Sequence, residues 1–204
     1  MIITEIAKQK NNPKRYSVSI DGEFAFGLEE IDILQYRLKE GMELTQEEYL
    51  RIMDYSVFEK AKAKAFRYLG YSARTYKEVY EKLSDGGFPE EAIEKTMELL
   101  LSYGYVDDSR YAADYVKEYS KKYGKDRMKF ELMRKGVAQG TIEEALEASG
   151  IDETEAIIEL MSKRFRSGPT DEIDEKEKRR CYDYLSRRGY SYEKIMRAFK
   201  EFFV

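Results

Sequence analysis

The chain of 204 residues contains no histidine, no tryptophan, one cysteine and three prolines. Without imidazole, histidine-based triads and histidine ligation of haem are excluded, and zinc loses its commonest nitrogen ligand. Cys181 has no second thiol with which to close an internal disulfide. The first residues, MIITEIAKQK, also lack the apolar core of a secretory signal peptide, so a reducing cytoplasm is the expected location. No window approaches the roughly 18 consecutive apolar residues that a membrane span requires. A soluble protein without membrane association is therefore expected, and enzymes become a minority reading.

Charge of one sign is missing too. Lys plus Arg is 36 and Asp plus Glu is 40, a net charge of −4 with 37% charged residues. Such a chain is no histone-like polycation, and any contact with nucleic acid must come from a local patch. Aromatic side chains are plentiful, with 18 Tyr and 10 Phe, too many large rings for a disordered chain.

The first 28 residues read as strands. Ile2 to Ile6 is apolar-rich, Tyr16-Ser17-Val18-Ser19-Ile20 alternates with period two, and Phe24-Ala25-Phe26 follows Asp21-Gly22. An Asp-Gly pair between alternating runs signals a tight hairpin, because both residues tolerate positive φ. With a turn at Asn11-Asn12-Pro13, a three-stranded meander is predicted. From Glu29 the period becomes helical: Ile31, Leu34 and Leu38 are expected to share a face, Gly41 breaks the chain, and Thr45-Gln46-Glu47-Glu48 has the form of a capping box.

Beyond residue 56 the chain repeats itself. Leu83, Gly87, Phe88, Ile93 and Met97 align with Leu132, Gly136, Val137, Ile142 and Leu146, and again with Leu185, Gly189, Tyr190, Ile195 and Phe199. In each copy the Leu closes one helix, the Gly supplies a left-handed C-terminal cap, the next apolar residue staples the turn, and Ile with its i+4 partner faces inward. Each half-unit is preceded by a further helix, predicted at Val57 to Tyr68, Ser109 to Tyr123 and Thr154 to Arg166. The fold class that follows is mainly α: tandem three-helix, helix-turn-helix-like repeats after a small N-terminal β-meander. The expected domains are 1–56 (meander plus helix), 57–108, 109–152 and 153–204. Ser167-Gly168-Pro169-Thr170 reads as an extra loop in the third repeat.

Net charge runs from −4 over residues 1–56 and −2 over 57–108 to +1 in each of the last two segments. Lys117, Lys121, Lys122, Lys125, Arg127, Lys129, Arg134 and Lys135 outnumber Glu118, Asp126 and Glu131 in one short stretch. A second cluster comprises Lys176, Lys178, Arg179, Arg180, Arg187 and Arg188. With Tyr119, Tyr123 and Phe130 interleaved, the first cluster has the composition of a phosphate-gripping, base-stacking surface or of a plug for an acidic groove. The alternative is a solvated helix face with ordinary ion pairs, its aromatic rings packed in the core.

Other motifs carry less. The third helix of the first repeat, from Pro89 to Lys95, is acidic where a DNA-reading helix is basic. Gly124-Lys125 lacks the glycine and hydroxyl residue of a phosphate loop. Asp107-Asp108 reads as a helix start rather than a metal or acid-base pair, and Cys181 as a small apolar filler. No catalytic residues, metal ligands or cofactor site are expected.

The stretch Gly104-Tyr105-Val106-Asp107-Asp108-Ser109-Arg110-Tyr111-Ala112 resembles the central signature of the RecX family of recombination regulators. Leu69, Ser72-Ala73-Arg74-Thr75 and Leu83 before it support the resemblance, as do Gly124, Arg127, Leu132 and Lys135-Gly136-Val137 after it. Tyr76-Lys77-Glu78-Val79 departs from the family, which more usually shows an acidic residue followed by Leu. The resemblance implies a non-enzymatic, elongated and curved array of three-helix repeats. Its partner would be the RecA recombinase filament on single-stranded DNA. Lodged in the filament groove, such a protein hinders extension and lowers ATP hydrolysis, strand exchange and the repressor cleavage of the SOS response. On that reading Lys121, Lys122, Lys125, Arg127, Lys129, Arg134, Arg179, Arg180, Arg187 and Arg188 supply the electrostatic contact, with weak direct DNA binding in addition. A monomer is expected. The rival reading is a DNA-binding repeat protein that acts independently of RecA; a third, an unknown enzyme, lacks a nucleophile and base.

Overall fold

The computed structural model describes residues 1–10, 12–165 and 174–203, and they fall into two compact units, Met1–Asp107 and Asp108–Val204. Asn11, Arg166, the 167–170 loop and Val204 lie outside the described residues.

The first unit opens with the expected meander, an antiparallel sheet of strands β1 (Ile3–Gln9), β2 (Asn12–Ile20) and β3 (Glu23–Glu29) in that order. Asp21 and Gly22 adopt φ of 51° and 90°, the left-handed pair that the second hairpin requires. In the first hairpin Gln9 pairs with Asn12, so Asn12 and Pro13 already belong to β2.

Helix α1 (Glu30–Gln35) corrects the sequence reading. Ile31 and Leu34 are 63% and 67% exposed, and only Leu38, beyond the helix, is buried. The inward residue is Asp32, whose carboxylate accepts the Glu29 amide at 2.8 Å and pairs with Lys60. A helix of six residues anchored through a carboxylate has no need of an apolar stripe. Helix α2 (Gln46–Ile52) has the predicted capping box, with Glu48 N–H donating to Thr45 Oγ1 and Thr45 N–H to Glu48 Oε2. A π-helical segment, Met53–Phe58, joins it to α3 (Glu59–Leu69), which is followed by α4 (Tyr76–Ser84) and α5 (Glu90–Ser102). Val18, Phe26 and Leu28 of the sheet share one core with Val57, Ala61, Leu83 and Ile93.

The second unit holds two further three-helix repeats: α6 (Asp108–Tyr119), α7 (Lys125–Arg134) and α8 (Gln139–Ala148), then α9 (Glu153–Arg164), α10 (Glu175–Arg187) and α11 (Tyr192–Phe202). Each has its own core, one around Val116, Met128, Leu132 and Ile142, the other around Ile157, Met161, Leu185 and Ile195.

The repeat pattern is a set of C-terminal caps. Gly87, Gly136 and Gly189 have φ of 69°, 87° and 80°, a region costly to any residue with a Cβ. The Val137 amide reaches back to the Leu132 carbonyl at 3.1 Å and the Tyr190 amide to that of Leu185 at 3.3 Å, the six-to-one bond of a Schellman turn. Leu83, Leu132 and Leu185 are fully buried, as are Ile93, Ile142 and Ile195 to within 1%. Full burial of each such side chain contributes about 1.5–3 kcal/mol, which is why the same two positions recur in every repeat.

Candidate binding surface

All ten cations singled out from the sequence lie in the second unit. Lys121 and Lys122 sit in the loop after α6. Lys125, Arg127, Lys129 and Arg134 ride on α7, Arg179, Arg180 and Arg187 on α10, and Arg188 caps α10. The fold gives them different tasks.

Four meet where the α6–α7 loop abuts the α10–α11 turn. The Gly124 amide donates to the Arg188 carbonyl at 2.9 Å, and Arg188 returns its guanidinium to the Lys122 carbonyl at 2.7 Å. Arg127 donates to the Arg187 carbonyl at 3.0 Å. A Cβ on Gly124 would collide with the Gly189 carbonyl, and one on Gly189 with the backbone of Arg127. Two glycines thus let two backbones touch, and two arginines close the seam. The Arg127 guanidinium also lies 4.2 Å from the Tyr123 ring centre, and that of Arg188 4.5 Å from Tyr184. Guanidinium planes held on both an aromatic face and a carbonyl are ordered structural elements, with little freedom left for a ligand.

Two more are engaged in ion pairs. Lys129 binds Glu143 at 2.8 Å and, with Gln139, holds that carboxyl below its usual range. Arg134 takes Glu131 with two nitrogens, at 2.9 and 3.1 Å. Of the other side chains, those of Lys121, Lys122, Lys125, Arg179 and Arg180 make no ion pair among the described residues, and that of Arg187 bonds only the Asp183 carbonyl of its own helix, the Lys122 and Arg187 contributions to the seam being backbone carbonyls. These six are the cations available to a partner.

Tyr111, Tyr115, Tyr119 and Tyr123 stand four residues apart and their rings form a column, with centres 6.5, 4.5 and 5.6 Å from one to the next. Lys135 stands over Tyr111 at 5.5 Å and Arg127 over Tyr123, so the column has a cation at either end. The rings are half-buried against the repeat core. Burial first, then Glu131, raises the Tyr115 hydroxyl above its ordinary pKa. The i, i+4, i+8, i+12 spacing was the signal. Tyr119 and Tyr123 are therefore committed to packing, whereas Phe130 is 64% exposed and stays available for stacking.

The chain matches, in order, the models for the regulatory protein RecX N-terminal domain over residues 1–45 and for the RecX first, second and third three-helix domains over 61–100, 107–146 and 151–199. The chain belongs to the RecX family. It is 35% identical to the regulatory protein RecX of Clostridium acetobutylicum, over 98% of this chain and 96% of that one. It is 33% identical to that of Caldanaerobacter subterraneus subsp. tengcongensis, over 97% and 98%. A crystal structure of regulatory protein RecX superposes with a TM-score of 0.62 at 27% identity, covering 98% of both chains. That of RecX from Lactobacillus salivarius gives 0.61 at 25% identity over 71% of this chain and 96% of the other.

The RecX signature stretch is structural in this chain. Gly104 has φ of 67° and ends α5, the Tyr105 amide returns to the Leu100 carbonyl at 2.9 Å, and Val106 is buried. Asp107 precedes α6 and Asp108 opens it, where the helix dipole favours carboxylates. In the Tyr76-Lys77-Glu78-Val79 stretch, Tyr76 stacks on Tyr80 and Val79 is fully buried. Among the described residues no group of three or more His, Cys, Asp or Glu is arranged to hold a metal ion, and no helix is long and apolar enough to cross a membrane.

Proposed function

We propose that this protein is a regulator of the RecA recombinase that binds in the groove of the RecA filament on single-stranded DNA. There it blocks extension and so lowers ATP hydrolysis and strand exchange, acting as a cytoplasmic, monomeric binding protein without catalysis. The match to RecX domains along the whole chain carries this reading. Lys121, Lys122, Lys125, Arg179, Arg180 and Arg187 support it, since cations that form no ion pair among the described residues, on two adjoining repeats, suit contacts made at several points of a periodic partner. Several weak contacts on one body raise avidity when the geometry allows simultaneous engagement. Arg127 and Arg188 serve the reading by fixing the seam between those repeats, and Lys129 and Arg134 by contributing to the surface potential.

The exposed Phe130 on α7, the helix that also carries Lys125, is the observation that favours direct binding to DNA. One titration separates the two readings: DNA-dependent ATP hydrolysis by RecA is followed as this protein is added below RecA stoichiometry, alongside its binding to the same DNA without RecA. A fall in hydrolysis at concentrations that leave bare DNA uncovered is the expected result. Hydrolysis that falls only as bare DNA becomes covered would reassign the protein to the DNA-binding class.

A further inference from the structure

Between α10 and α11, at the edge of the third-repeat core, lies a groove of about 470 Å³. Its floor is apolar, built from Tyr182 on α10 and Met196, Phe199 and Phe203 from α11 onward. Met196 is 43% exposed, and Phe203 meets Phe199 edge-on with ring centres 5.8 Å apart. An exposed methionine beside half-buried phenylalanine rings is what an anchor-accepting surface looks like before its anchor arrives.

The rim is cationic. Lys178, Arg179 and Lys200 surround the floor against a single carboxylate, Glu175. Glu175 pairs with Lys178 at 3.1 Å, and that lysine also stands 5.5 Å from the Phe203 ring centre. Arg179 and Lys200 have no carboxylate partner among the described residues, and among those that line the groove the cations outnumber the carboxylates by two.

We propose that this groove docks an acidic amphipathic segment of a protein partner, its apolar side chains seated on Met196 and Phe199 and its carboxylates meeting Arg179 and Lys200. The inference rests on the reading of the chain as a filament regulator and locates one of its protein contacts. Nucleic acid fits the groove less well. A phosphate backbone would pass Glu175, and the floor presents a thioether and edge-on rings where base stacking needs open ring faces. A helix or extended segment with two apolar anchors flanked by Asp or Glu uses every group present.

The test uses the full chain and assembled RecA filaments. A photo-crosslinking benzoylphenylalanine replaces the exposed Met196, the mixture is irradiated, and the captured peptide is identified by mass spectrometry. A RecA segment rich in Asp and Glu with an apolar anchor is expected; capture of DNA, of a basic segment, or of nothing overturns the proposal. In parallel, a triple variant, Met196→Asp with Arg179→Glu and Lys200→Glu, is compared with the wild type. About a tenfold higher concentration should be needed for half-inhibition of RecA ATP hydrolysis, a larger factor than any loss of binding to bare single-stranded DNA that the reversed charges cause, with the thermal midpoint within a few degrees of wild type. Inhibition that persists at the wild-type midpoint overturns the groove alone. A wild-type protein inert towards RecA would bring down the functional reading with it.

Discussion

Arg15 and Gly86 are 71 positions apart in sequence, and a 2.7 Å hydrogen bond joins the guanidinium of the first to the carbonyl of the second. Arg15 leaves strand β2, gives a second nitrogen to the Gly27 carbonyl at 3.0 Å, and lies over the Phe88 ring with its central carbon 5.0 Å from the ring centre. It thereby ties the meander to the α4–α5 turn. In the third repeat the residue aligned with Gly86 is Arg188, and its carbonyl is occupied as well, by the Gly124 amide. The carbonyl before the left-handed glycine points out of the turn, where an adjoining element can bind it.

Replacing Arg15 by Ala should therefore destabilise the first unit by roughly 2–3 kcal/mol, the usual magnitude for charge-assisted bonds to a partly buried pair of acceptors. Arg15→Lys should recover only part of it, because an ammonium cannot reproduce the planar two-carbonyl geometry. Chemical denaturation of the three proteins decides this; a Lys variant as stable as wild type would contradict it.

The repeat glycines should not be equivalent. Gly87→Ala meets only backbone strain, since the nearest atom to its Cβ is Gln9 Nε2 at 3.9 Å, and about 1–2 kcal/mol is expected. Gly189→Ala adds a collision with the Arg127 backbone to the same strain, and Gly124→Ala collides with the Gly189 carbonyl without any positive φ. Both should lower the thermal midpoint more than Gly87→Ala does, and should loosen protection of the Gly124 amide in hydrogen exchange.

Charge reversal separates contact from architecture. Lys121→Glu, Lys122→Glu and Lys125→Glu combined should weaken filament inhibition while leaving the melting temperature near wild type, because these side chains form no ion pair among the described residues. Arg127→Glu should lower the melting temperature itself, as it breaks the bond to Arg187 and the stack on Tyr123. Inhibition unchanged in the triple-lysine variant would remove the second-repeat patch from the binding surface.

Two buried groups in the third repeat give pH-dependent readouts. Burial pushes the Cys181 thiol up to about 11, so alkylation in the folded protein at neutral pH should be much slower than in denaturant. Burial likewise raises the Tyr190 hydroxyl to about 12. Because the folded state holds that proton more tightly than the unfolded one, the stability it contributes is complete below the ordinary tyrosine value of about 10. It is lost as pH rises from there through about 12. Denaturation curves across that alkaline range should show a stability decline that is smaller in Tyr190→Phe. The Tyr190 hydroxyl has no protein partner among the described residues, so the same substitution should cost no stability at neutral pH.

How far the sequence could be read follows from the range of the forces involved. The Asp21-Gly22 hairpin, the Thr45 capping box and the three Leu-Gly turns are fixed by interactions spanning three to six residues, and pattern alone revealed them. Ile31 and Leu34 misled, since helical spacing shows which residues share a face and not whether that face meets a core. Asp32 took the inward position because Lys60, 28 residues later, offered a partner.

The binding surface divides the same way. Sequence determined that the last two repeats carry the cations, that no histidine chemistry is open to the chain, and that tyrosines recur every four residues from Tyr111 to Tyr123. Only the tertiary structure decided which cations are spent. Arg127 and Arg188 bond carbonyls 60 and 66 positions away, and Lys129 pairs with a carboxylate on the next helix but leaves no trace of it in its own neighbourhood. A charge is local information, whereas its partner is set by how two helical hairpins pack, and that depends on Gly124 and Gly189 allowing their backbones to touch.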